Sequence, residues 1–195
     1  MYIIKSGEEM TKKQVLQALW LDRMTYPREY WLDEETVTEY LRTHPEVYVF
    51  AEDENGKLIA YLNMSCIDKL SFKELLSGKE NDLCIKAENL RFPEKGADNI
   101  LYFSSVAVGE KYKGRGIARA LFNAMAEKFK ALMRDGVYFT YVIADAVSVG
   151  GEKLCRAFGM EKVLSTSRGS GIFLLKADKD EPFSASETLI NGMTS

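Results

Sequence analysis

Apolar residues change period along the chain, and the changes mark its elements. Ile100 to Val108 (ILYFSSVAV) is a β-rich run that stops at Gly109. A polar turn, EKYKGRG, follows. Beyond Gly116 the apolar positions recur every three or four residues, at Ile117, Leu121, Met125, Phe129 and Leu132. This predicts a strand, a glycine-bearing turn and a long amphipathic helix ending at Gly136. Upstream, Tyr2 to Lys5 reads as a short strand. Thr11 and Gln14 form a capping box for a helix carrying Val15, Leu16, Leu19 and Trp20, which fades between Asp22 and Tyr26 ahead of Pro27. Asp33 caps a second helix, with Leu32 stapled to Val37, and Pro45 ends it. Val47–Asp53 and Lys57–Ile67 flank Asn55-Gly56, which predicts a hairpin with a type I′ turn.

Asp68 to Asn99 is less regular. Phe72 to Leu76 offers one or two helical turns ended by Gly78, and the whole segment reads as an insertion between strands. Val137–Ala146 is a further strand, and Gly150–Met160 a short helix with Gly159 as its left-handed cap. Glu161–Thr166 and Ile172–Lys176 are two more strands. The last stretch is a polar tail in which Ser184 and Glu187 cap a short helix stopping at Gly192. The expected organisation is one domain over residues 1–177, with the insertion at 68–99, and a C-terminal tail over 178–195.

Composition narrows the function classes. The chain has 195 residues, 46% hydrophobic and 28% charged, as in an ordinary globular protein. Its net charge of −3 lacks the basic footprint of a nucleic-acid binder. No apolar run reaches membrane-spanning length. The N-terminus, MYIIKSGEEM, does not read as a signal peptide. Three widely spaced cysteines, Cys66, Cys84 and Cys155, fit neither a disulfide framework nor a zinc cluster, and point to a reducing, cytoplasmic setting. With His44 as the single histidine, mechanisms needing two are excluded.

The candidate chemistry sits in the turn after Val108. A strand feeding a helix through a glycine turn leaves backbone N–H groups unpaired at the positive end of the helix dipole, which is an anion site. Gly114 and Gly116 let a phosphate approach the backbone closely, and Lys113, Arg115 and Arg119 add positive charge.

The order of elements and two local motifs resemble the GCN5-related N-acetyltransferase (GNAT) superfamily. Its signature, Gln or Arg followed by two residues, Gly, one residue and Gly or Ala, is matched by Lys113-Gly-Arg-Gly116-Ile-Ala118, with Lys in the first place. Its later landmark, roughly Asn-x-x-Ala-x-x-Leu-Tyr-x-x-x-Gly-Phe, is met more loosely by Ser148 to Met160. There Leu154 and Gly159 match, and Ser148, Gly151, Cys155 and Met160 stand where Asn, Ala, Tyr and Phe are usual. The resemblance covers about Ile3 to Lys176.

It implies an α/β (α+β) fold, a mixed and mostly antiparallel central sheet flanked by helices on both faces. It implies acetyl-CoA, or another acyl-CoA, as co-substrate. The pantetheine arm would lie along Val106, Ala107 and Val108, and the pyrophosphate on Lys113, Gly114, Arg115, Gly116, Ile117, Ala118 and Arg119, with Ser148 a further cofactor contact. No metal is implied. The activity would be acyl-CoA-dependent N-acyl transfer to a small-molecule or peptide amine by direct attack. Cys155 stands where the family's acid is often Tyr, and Tyr141, Tyr138 and Asp145 are other candidates for acid or base. The Ile100–Val108 strand carries no carboxylate. Asp22 and Tyr26 fall where the acceptor pocket often lies, and Tyr26, Tyr30 and Trp31 would wall it or simply pack between helices. The rival reading is a non-catalytic CoA-binding or protein-interaction module on the same fold. A homodimer stays open at this stage.

Overall fold

The computed structural model describes residues 1–79 and 82–195, Asp82 for its backbone alone. Glu80 and Asn81, inside the segment read as an insertion, lie outside the described residues. Eight strands form one sheet in the order β1-β2-β3-β5-β6-β8-β7, with β4 paired to β3. The strands are β1 (Tyr2–Ser6), β2 (Tyr48–Asp53), β3 (Leu58–Ile67), β4 (Leu90–Arg91), β5 (Asn99–Val108), β6 (Phe139–Ala146), β7 (Glu161–Ser165) and β8 (Gly171–Lys176). β5 and β6 run parallel. β1–β2, β2–β3, β3–β4, β6–β8 and β7–β8 are antiparallel. The helices are α1 (Lys12–Thr25), α2 (Glu34–Thr43), α3 (Lys69–Ser77), α4 (Ile117–Arg134), α5 (Val149–Ala157) and α6 (Ser184–Thr194). The mixed, mostly antiparallel sheet flanked by helices is the expected fold class.

The chain divides into two compact units. One comprises Met1–Met64 and Ser105–Met125, the other Ser65–Ser104 and Ala126–Ser195. In the first unit, the Thr11 hydroxyl accepts from the Gln14 N–H at 3.3 Å and opens α1, while Asp33 caps α2 through the Thr36 N–H at 2.7 Å. Val15, Leu19 and Val37 form a core cluster with Leu32 packed against it, as the staple requires.

The hairpin turn departs from expectation. Gly56 has φ of 70°, but among the described residues no residue other than glycine takes a positive φ, so Asn55 is not part of a type I′ turn. Asp53 explains this. Its Oδ1 accepts from the N–H groups of Asn55 (2.9 Å) and Lys57 (3.1 Å), holding a turn with one left-handed glycine before β3.

In the second unit, the insertion carries α3, capped by the Asp68 carboxylate and closed by Gly78 at φ 65°. The short helix expected within residues 178–195 is present, and it is docked rather than part of a polar tail. Ala185, Ser186, Leu189, Ile190 and Met193 of α6 are buried, and the Ser186 hydroxyl accepts the Phe139 N–H at 2.9 Å. Ser184 is helical rather than the cap, and the helix continues past Gly192, whose missing side chain lets it approach the backbone at Ala157 and Phe158.

Candidate functional site

In the first unit, β5 ends at Val108, and the Gly109 N–H donates to the Ile59 carbonyl at 2.9 Å. A single turn, Glu110–Tyr112, then leads to the two glycines. Gly114 and Gly116 have φ of 73° and 75°, and a side chain built on either would meet nothing within 4 Å. The glycines therefore serve conformation, and the backbone they shape faces open space rather than protein. Ala120 N–H to Gly116 C=O, at 3.0 Å, is the first helical bond of α4. The earlier amides of the helix have no intrahelical acceptor and mark its positive end. This is the strand, glycine turn and helix that the sequence predicted.

The cations around it are more engaged than the sequence suggests. Lys113 pairs with Glu110 at 2.6 Å, so its charge is offset locally. The Arg115 guanidinium lies 5.6 Å from the Tyr112 ring centroid, and the Tyr112 hydroxyl donates to Asp53 Oδ2 at 3.3 Å. The loop is thus tied to the β2–β3 turn. A cleft beside it is lined by Leu16, Trp20, Leu58 and Tyr112, with Lys13 and Lys57 among its walls.

Two residues before the end of β5, the backbone of Val106 meets a side chain. The Tyr26 hydroxyl accepts from the Val106 N–H at 3.0 Å and donates to the Val106 carbonyl at 2.8 Å. Tyr26 ends α1 in an extended conformation, its N–H on the Asp22 carbonyl at 2.9 Å and its own carbonyl accepting from the Trp31 indole at 2.8 Å. At Val106, where the resemblance would lay a pantetheine arm, both backbone groups are thus occupied by the Tyr26 hydroxyl.

One turn back on α1, the Asp22 carboxylate accepts a short hydrogen bond from the Tyr61 hydroxyl. Burial pushes the Asp22 carboxyl up from the ordinary carboxylate range, against the pull of the Tyr61 hydroxyl and the Arg23 charge. Tyr61 is itself buried, and burial together with the Asp22 charge raises its phenol well above the usual value; Ser105 hydrogen-bonds it and acts in the opposite sense. Asp22, Tyr61, Tyr26 and Ser105–Val106 form a polar group adjoining the strand that leads to the cradle. Sequence reasoning placed Asp22 and Tyr26 near the acceptor but missed Tyr61. In sequence Tyr61 is one aromatic among the apolar residues of β3, and nothing there distinguishes its hydroxyl.

The remaining candidates lie in the second unit. Cys155 is 2% exposed, and burial, with Glu152 close by, pushes its thiol up to about 12. A thiol so raised is a poorer proton donor than a free cysteine at about 8.5. Tyr141 stacks at 5.0 Å on Phe72, with Lys176 5.7 Å from its ring centroid. Tyr138 packs at 5.1 Å on Phe183. The Ser148 hydroxyl caps α5 by accepting from the Gly151 N–H at 3.0 Å. Asp145 is unusual. Both its carboxylate oxygens are buried without a hydrogen-bond partner, and burial raises its pKa despite Ser170 and Arg168 nearby. The Ser170 hydroxyl is committed to Thr166 at 2.8 Å. His44 is buried with its ring on Glu46 at 3.0 Å, a structural placement. Cys66, Cys84 and Cys155 are not joined in disulfides. Among the described residues no cluster of His, Cys, Asp or Glu could hold a metal ion, and no helix is long and apolar enough to cross a membrane.

The structure combines this strand order with a β5 that opens through paired glycines into α4. The chain belongs to the acetyltransferase (GNAT) family, whose model matches residues 13–159. Solved structures agree on the fold. A mosquito arylalkylamine N-acetyltransferase like 5b is 16% identical over 91% of this chain and 100% of its own, with a TM-score of 0.59. NAA60 of Arabidopsis thaliana, solved with acetyl-CoA, is 15% identical over 91% and 100%, also at 0.59. A chain of the NatC complex, solved with Gag peptide and CoA, is 13% identical over 91% and 99%, at 0.61. Identities this low speak for the fold alone. No curated protein sequence matches the chain.

Proposed function

We propose that this protein is an acyl-CoA-dependent N-acyltransferase that moves an acetyl group from acetyl-CoA to an amine. The observation that carries the reading is the cradle, in which two glycines at positive φ turn bare backbone toward open space at the start of α4. In that geometry a pyrophosphate would meet helix amides and dipole, with the pantetheine arm along Val106–Val108.

In the proposed reaction the amine nitrogen attacks the thioester carbonyl carbon, an N–C bond forms and the C–S bond breaks. The amine must first lose its ammonium proton. Asp22 is the base we assign, its carboxyl brought by burial closer to the working pH and held by Tyr61. The sulfur leaves as CoA thiolate and takes up the proton that the attacking nitrogen sheds as the amide forms, so the products are the amide and the CoA thiol. Cys155, raised to about 12, would give up a proton to an ordinary thiolate only uphill, which favours packing as its role. Positioning supplies much of the rate in such a scheme. Three cysteines outside any disulfide favour a reducing, cytoplasmic setting.

The test has two parts. Acetyl-CoA should raise the melting temperature, and some member of an amine panel should release free thiol from it. A shift without turnover would favour the CoA-binding module. No shift at millimolar acetyl-CoA would end both readings.

A further inference from the structure

We propose that Tyr26 is a displaceable cap, whose hydroxyl stands in for the ligand on the backbone of Val106 and must leave before an acyl-CoA arm can pair there. The inference rests on the acyl-CoA reading above and adds a regulation of that site.

β6 pairs with β5 only from Asn99 to Phe103 among the described residues, whereas β5 runs on to Val108. Backbone groups alternate between the two edges of a strand. Gly109 turns its N–H to Ile59 of β3, so Val106, three residues earlier, presents its N–H and C=O at the other edge. A strand edge left this way carries a donor and an acceptor that want partners. The Tyr26 hydroxyl supplies both at once, at 3.0 and 2.8 Å. A hydroxyl that accepts from the N–H and donates to the C=O of one residue makes the same two bonds as an amide of a ligand laid along the strand. The two cannot occupy Val106 together.

The cap is held in a way that allows release. The backbone of Tyr26 is fixed, by its N–H on Asp22, by Trp31 on its carbonyl and by Pro27 after it. Its side chain is only partly buried. Rotation of the side chain frees Val106 without unwinding α1. Apparent affinity for the arm is then reduced by the fraction of molecules that are uncapped.

The prediction is a gain rather than a loss. Tyr26→Phe keeps the ring and removes the hydroxyl, so acetyl-CoA should bind about three- to tenfold more tightly than to the wild type, the range that one modest hydrogen-bond competitor produces. Adenosine 3′,5′-bisphosphate lacks the pantetheine arm and is the control, and its affinity should be the same for both proteins. Titration calorimetry reads both, and a single cooperative melting transition without ligand shows that the variant is folded. Unchanged or weaker acetyl-CoA binding by a folded Tyr26→Phe overturns the cap, as does equal tightening of the bisphosphate. If the wild type and the variant both ignore acetyl-CoA at millimolar concentration, the cofactor reading itself has failed and the cap goes with it.

Discussion

Asp22 and Asp145 are two partly buried carboxylates raised for the same primary reason, loss of water, yet they sit in different chemistry. Asp22, in the first unit, accepts the Tyr61 hydroxyl and stands one turn from the residue that caps Val106. Asp145, in the second, has neither oxygen bonded and sits among groups already paired with one another. A raised pKa therefore does not distinguish a base from a strained structural residue. What separates them is whether a partner fixes the ionised form and whether a polar path leads on from it.

Substitutions should break that comparison in order of size. Asp22→Asn is expected to lower kcat by about 10²–10⁴, the usual contribution of a positioned base, in steady-state assays; a rate within twofold of wild type would return the role to another group. Gly116→Asp should weaken acetyl-CoA by about 100-fold or more, because like charges brought together cost several kcal/mol and the site also demands φ of 75°. Unchanged affinity in calorimetry would sink the cradle.

Tyr61→Phe tests the partner. The Tyr61 hydroxyl favours the ionised Asp22, so without it the Asp22 pKa climbs further. Activity depends on the ionised form, and the acidic limb of the kcat profile should move to higher pH. A limb that stays in place would mean that Asp22 does not titrate in the reaction.

Asp145→Asn should act on stability. A carboxyl whose folded pKa lies above its unfolded one favours folding while protonated, and that contribution fades as pH rises through the folded value. At pH 7 the charge is a burden, so the variant should melt about 2–4 °C higher, roughly the effect of 1 kcal/mol in a chain of this size, with the gain vanishing below the unfolded carboxylate range. A lower melting point at pH 7 would point to a charge partner that offsets its burial. Smallest is the effect of Cys155→Ala on turnover, which should be nil across pH, since burial keeps the thiol protonated to about 12; a change in the basic limb would restore Cys155 as an acid.

The sequence by itself determined the elements and the glycine turn between β5 and α4. Those signals are local. Thr11 and Asp33 caps, the paired glycines and the period of α4 act within a few residues, so chain order suffices to read them. Even there, local pattern misjudged the β2–β3 turn, where the Asp53 carboxylate outweighed the Asn-Gly preference, and, for the last helix, it found the element but not its docking. Tertiary structure alone decided the chemistry beside the cradle. Tyr26 meets Val106 across 80 residues of sequence, and Tyr61 meets Asp22 across 39. Nothing local marks such pairs, since a tyrosine hydroxyl acquires its role from the group that folding brings within hydrogen-bond reach. The glycine turn was legible because backbone conformation is written in residue type. The cap on Val106 was not, because it is written in distance.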